Sequence, residues 1–134
     1  MKKLELPSSL KMHNETIDAE HQKLVDFINT IANTCNKGKF EDAARLLEDF
    51  LSFLKRHFQH EEDILRKEKF PQVGDHAEYH KKLLRDSARL LKLFDAASES
   101  DEANEKFIIA LRYFLLDDAL KADVMFKSFL SAPE

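Results

Sequence analysis

The sequence predicts an all-α fold, an up-down-up-down antiparallel four-helix bundle with an N-terminal arm. Three observations carry this. Apolar residues recur three and four apart along four long stretches, the spacing that lines one helix face. Only 2 glycines and 3 prolines serve for turns, too few for the many reversals of an all-β chain. The breaks between stretches are short, which makes consecutive helices antiparallel neighbours.

Residues 1–14 lack a helical stripe and are expected to form an extended arm over one end of the bundle, which itself fills 15–131 of a single domain spanning 1–134. The first helix is expected from Thr16 to Lys37, with Ile17, Leu24, Ile28 and Ile31 inward, His21 inside that stripe and Cys35 as buried packing. Gly38 ends it. The second runs from Glu41 to Glu68, with Leu47, Phe50, Leu54, His57, Glu61 and Ile64 on its inner face. Pro71 and Gly74 mark the next turn, and Asp75 is the expected cap of a third helix reaching Ala97. Its inner face carries His76, His80, Leu83, Ser87, Leu90 and Phe94. Ser98-x-x-Asp101 has the form of a capping box. A fourth helix then reaches Leu130, with Leu111, Phe114, Leu115, Asp118, Ala122, Met125 and Phe129 inward.

Composition narrows the function. With 43% hydrophobic and 34% charged residues in 134, the chain can bury a core and stay soluble. A net charge of -4 offers no electrostatic footprint for nucleic acid or an anionic membrane. No apolar run has membrane-spanning length. The single cysteine excludes an internal disulfide framework and suits a reducing compartment. Met1-Lys2-Lys3 resembles the start of a signal peptide, but Glu5 and Pro7 interrupt the residues after it, so a cytoplasmic protein is expected.

The chemistry concentrates between His57 and His80. His57 and Glu61 are four apart, as are His76 and His80, and that spacing stacks two side chains on one helix face. His21 on the first helix and acids at Asp118 and Asp123 on the fourth complete a set with donors on every inner face. Burying so many polar groups without compensation costs roughly several kcal/mol each, and a metal removes that cost by accepting their lone pairs. Imidazole with carboxylate and no thiolate suits iron, manganese or zinc. The donor count exceeds the need of one tetrahedral zinc, and two metals bridged by carboxylates use it better. A ferritin-like site needs Glu-x-x-His on two helices, and no histidine here has a glutamate three places before it.

These motifs resemble the hemerythrin family, in particular the bacterial hemerythrins. The matching pieces are Ile17-Asp18-Ala19-Glu20-His21, His57-Phe58-x-x-Glu61-Glu62, Phe70-Pro71, His76-x-x-x-His80 and Asp123. The resemblance implies a four-helix bundle around two non-heme iron ions, carboxylate- and oxo- or hydroxo-bridged, that take O2 or peroxide as ligand. It implies that Glu61 and Asp123 bridge, that His21 and His57 hold the iron with the open position, and that His76 and His80 hold the other. Phe58, Leu115 and Leu116 are expected in the core and as walls of the O2 pocket, keeping protons from the bound ligand.

The chain departs from the family pattern on the fourth helix. The family's fifth histidine stands five residues before the bridging aspartate, where this chain has Asp118, and Phe114 stands where the family commonly has Trp. Asp118 can ligate, hold a metal-bound water, or leave that iron open. A third carboxylate favours the ferric state, so faster autoxidation is expected. At about 100° per residue, Asp118 and Asp123 diverge by about 140° on an ideal helix. A π-bulge near Ala119–Ala122 would bring both to one centre. Asp118 is preferred over Asp117 because it is in phase with Leu111, Phe114 and Met125.

Other polar residues carry plainer expectations. His13 is expected exposed, His60 at a helix interface or in solvent, Glu62 at the surface, and Asp18 near the first helix cap. Tyr79 and Tyr113 are expected to pack, and Arg66-Lys67-Glu68-Lys69 to be a solvated face. The first function expected is O2 binding for carriage, storage or scavenging. The second is a di-iron enzyme acting on peroxide, O2 or NO at a site opened by Asp118. The third is an O2, redox or iron sensor module acting through a separate protein. The partners expected are a small diatomic or peroxide ligand, and neither nucleic acid nor membrane.

Overall fold

The computed structural model describes residues 3–131, without the side chains of Ser128, Phe129 and Ser131, so the inward place expected for Phe129 lies outside the described residues. Its helices are α1 (Glu15–Asn36), α2 (Phe40–Lys67), α3 (Val73–Ala97), α4 (Asp101–Tyr113) and α5 (Val124–Ser131). Between α4 and α5 run a π-helical stretch, Phe114–Leu120, and a 3₁₀ turn, Lys121–Asp123, so that four segments form one fourth rod. Each rod packs on two others, in the ring order α1, α2, α3, fourth rod. The result is the expected all-α four-helix bundle, with no strand among the described residues.

Local chemistry sets the ends. Asn14 caps α1, its side-chain oxygen accepting the Ile17 N–H at 3.0 Å. Gly38 follows α1 at φ +74°, where a residue without Cβ is least strained. Two expected caps are displaced. Asp75 lies inside the first turn of α3, where its charge suits the helix dipole, and Gln72 holds the cap position. Ser98 ends α3, while Ser100 caps α4 by accepting the Ala103 N–H at 3.0 Å.

The arm is more built-in than expected. Leu4 exchanges two hydrogen bonds with Asn29 in the middle of α1, at 2.8 and 2.9 Å. Leu10 and Met12 are buried, and the Met12 N–H donates to Asp18 at 2.6 Å. The core divides in two. A large cluster includes Leu24, Ile28, Phe50, Leu54, Leu83, Phe107, Leu111 and Leu120. A smaller one, Met12, Ile17, Leu65, Phe70 and Phe126, closes the other end. Along each rod the buried histidines and acids fall between residues of these two clusters, as His21 falls between Ile17 and Leu24. The fold thus holds a polar layer inside an apolar bundle. Met125 departs from its expected inward place and is 69% exposed, because the π and 3₁₀ turns shift the phase of the rod beyond them.

Candidate metal centre

Six side chains from all four rods meet in the polar layer: His21, His57, Glu61, His76, His80 and Asp123, all buried. Their donor atoms form two groups, each within 4.8 Å. His21 and His57 make one, His76 and His80 the other, and Glu61 and Asp123 belong to both. Glu61 turns Oε2 toward His57 Nε2 at 3.0 Å and Oε1 toward His76 and His80 Nε2 at 2.9 and 3.1 Å. Asp123 turns Oδ2 toward His21 Nε2 and Oδ1 toward His76 Nε2, both at 3.1 Å. Each carboxylate therefore divides its oxygens between the two groups.

The histidines are held from behind. His57 Nδ1 lies 2.9 Å from Glu20 Oε1, and His60 Nδ1 lies 2.6 Å from the other Glu20 oxygen. His80 Nδ1 lies 2.8 Å from Glu62 Oε2. A carboxylate behind Nδ1 fixes the ring and leaves Nε2 to point inward, the usual support of a metal-bound imidazole. Phe58 stacks on His80 at 3.9 Å and is 3% exposed. The hold of Glu62 on His80 corrects the expectation of a surface place for that acid. Glu20 has no role in the sequence reading either. Its signal is adjacency: each acid adjoins a cluster residue, Glu20 beside His21 and Glu62 beside Glu61.

The electrostatics need cations. Burial disfavours charge on Glu61, but hydrogen bonds from four imidazoles hold its carboxyl well below the usual range. Burial and the Glu61 charge raise Asp123. Burial opposes protonation of His57, yet its bonds to Glu20 and Glu61 push it up to about 10. Without metal, then, protons supply the positive charge. Even so, His21 Nδ1 stays buried without a hydrogen bond, and His21 and His57 Nε2 face each other at 3.1 Å. Buried lone pairs aimed at one another fit a metal pair, whose ions would accept them in place of protons.

Asp118 does not join. Its half-buried carboxyl lines a surface groove with Arg85, Asp86, Arg89 and Lys106, and takes no part in either donor group. The helix does widen, as a 140° divergence would require, but over Phe114–Leu120, earlier than expected. The Lys121 N–H accordingly bonds back to Leu116 O. Leu115 is buried and Leu116 packs against the large core cluster, as expected.

The family model of the hemerythrin HHE cation binding domain matches residues 12–126. The chain belongs to the hemerythrin family. It is 26% identical over 115 residues to a bacteriohemerythrin of Methylococcus capsulatus, covering 86% of each chain. It is 32% identical over 90 residues to a hemerythrin-like protein of Naegleria gruberi, covering 66% of this chain and 70% of that one. A bacteriohemerythrin of Campylobacter jejuni is 22% identical over 116 residues, covering 85% of each. This hemerythrin chain thus carries a buried His, Glu and Asp cluster suited to metal, and no helix among its described residues is long and apolar enough to cross a membrane.

Proposed function

We propose that this hemerythrin-family chain holds two iron ions in its polar layer and binds O2. The observation that carries the reading is the division of the Glu61 and Asp123 oxygens between a His21–His57 pair and a His76–His80 pair. In this reading the four Nε2 atoms would hold the ions, and Glu61 and Asp123 would be shared between them. Two irons so held would supply a pair of electrons to O2 reversibly. Glu20 and Glu62 orient the rings, and Phe58, Leu115 and their neighbours keep the layer dry. A single buried thiol agrees with a cytoplasmic setting.

Metal analysis with optical spectra of oxidised and reduced protein tests this. Two irons per chain and near-ultraviolet bands of a bridged ferric pair are expected. One metal per chain, or spectroscopically silent zinc, rejects it.

A second reading, a di-iron enzyme consuming peroxide or NO, draws on the position of Asp118. With that carboxyl outside the donor groups, the His76–His80 position has only two imidazoles and the shared acids. Two histidines with carboxylate and open positions is a donor set that activates small oxidants. Catalytic loss of peroxide by the iron-loaded protein, against a stable oxygenated spectrum, separates the two.

A further inference from the structure

A cavity of about 450 Å³ lies between α3 and the fourth rod. Phe70, His76, Tyr79, Ala122 and Met125 line it, with Asp75 at its rim. His76 is one of the six donors and the most exposed of them, at 6%. Ala122 directly precedes the donor Asp123. Met125 at 69% exposure forms an outer wall. The cavity thus runs from the surface to His76 and adjoins neither His21 nor His57.

Resting on the two-metal reading, we infer that this cavity is a ligand port to the His76–His80 position, admitting small uncharged molecules such as O2, NO or hydrogen peroxide. Three features converge. Each position has two imidazoles and the two shared acids, so this one has room for a ligand as the other does, and Asp118, which could have filled it, lies in a separate groove. The lining is mostly apolar, which suits uncharged ligands. The Asp75 carboxylate at the rim and the net charge of -4 disfavour small anions. Tyr79 forms one wall and is fixed by its hydroxyl, which donates to the Asp118 carbonyl at 2.6 Å.

The test is the rate of NO binding to the reduced, iron-loaded protein, followed optically, in wild type, Met125→Trp and Met125→Ala. Met125 is exposed, so neither substitution opens a hole in the core. Iron content is measured first, and fewer than two irons per wild-type chain overturns the two-metal reading and the port with it. With two irons in place, Met125→Trp is expected to slow at least one binding phase about tenfold and Met125→Ala to leave it equal or faster. If every phase keeps the wild-type rate within about twofold in Met125→Trp, ligands arrive elsewhere and the port is wrong while the metal pair stands. Oxidised protein in which Met125→Trp alters the ligand-free optical bands points instead to a disturbed metal site, and also overturns the port.

Discussion

Glu62 Oε2 sits 2.8 Å from His80 Nδ1, so an acid one place after the central Glu61 reaches across to α3 and sets the ring that Glu61 meets from the other side. Glu20 does the same for His57 from α1. Both links cross between rods, and each ties a donor's orientation to bundle assembly. Removing such a partner commonly costs about 10–100-fold in metal affinity. Glu62→Gln and Glu20→Gln are each expected to weaken metal binding by about that factor, read by competition with a chelator. Glu78→Gln, an exposed change on α3, serves as control and is expected to change nothing. Affinity within about twofold of wild type in both variants would show that the acids only pair with histidines.

Asp118 gives a prediction in the opposite sense. Its carboxyl stands among Arg85, Asp86 and Arg89 rather than with the six donors. Asp118→Ala is expected to keep the full metal content and an affinity within about twofold of wild type. Loss of one metal per chain on that substitution would restore Asp118 as a ligand, and metal analysis of the purified variant decides it.

These residues also mark how far the sequence alone reaches. Periodicity of 3.6 reveals the four rods and the inward faces of His21, His57, Glu61, His76 and His80, because burial repeats with the helix. Periodicity misleads where the repeat itself changes. The π and 3₁₀ turns from Phe114 to Asp123 re-phase the fourth rod, so Asp118 and Met125 sit elsewhere than a uniform helix places them. Glu20, His60 and Glu62 lie off the inner faces, and their roles depend on which neighbouring rod they meet. Met12 is wholly buried although it precedes any α-helix, since its burial comes from the fold of the arm over Ile17, Leu65 and Phe126 rather than from a local pattern.

Proton and metal compete for the same atoms, which predicts a pH dependence. In the metal-free protein burial opposes charge on His57 and His76, yet acceptors outweigh it: Glu20 and Glu61 push His57 to about 10, Asp123 and Glu61 push His76 to about 9. Histidines raised above the ordinary 6.5 stabilise the fold fully below that value, and the gain is lost as pH rises through the folded values. Glu61, lowered from 4.5, stabilises above 4.5 and loses that gain as pH falls through its folded value. Metal-free protein is thus expected to be most stable between about pH 4.5 and 6.5 and to weaken toward pH 9–10. Metal binding displaces these protons, so the difference in Tm between metal-loaded and chelator-treated protein should widen from about pH 6 to pH 8. Paired thermal melts check it. A constant or narrowing difference would mean that the imidazoles are not the metal's ligands.

Tyr79 connects the widened helix to the donor set. Its hydroxyl donates to the Asp118 carbonyl at 2.6 Å, inside the stretch where the i→i−4 ladder is broken. Such a stretch needs outside partners for its carbonyls. Tyr79 lies between His76 and His80 on α3, so one helix supplies two donors and the bond that steadies the rod carrying Asp123. Tyr79→Phe keeps the ring and removes only the hydroxyl. A loss of about 0.5–1.5 kcal/mol in stability is expected from the missing hydrogen bond, measured by denaturant unfolding of the metal-free protein. If the bond also positions Asp123, the variant will weaken metal binding beyond that change, and competition with a chelator reads the excess. Wild-type stability together with wild-type affinity would show that the π stretch holds its shape without the phenol.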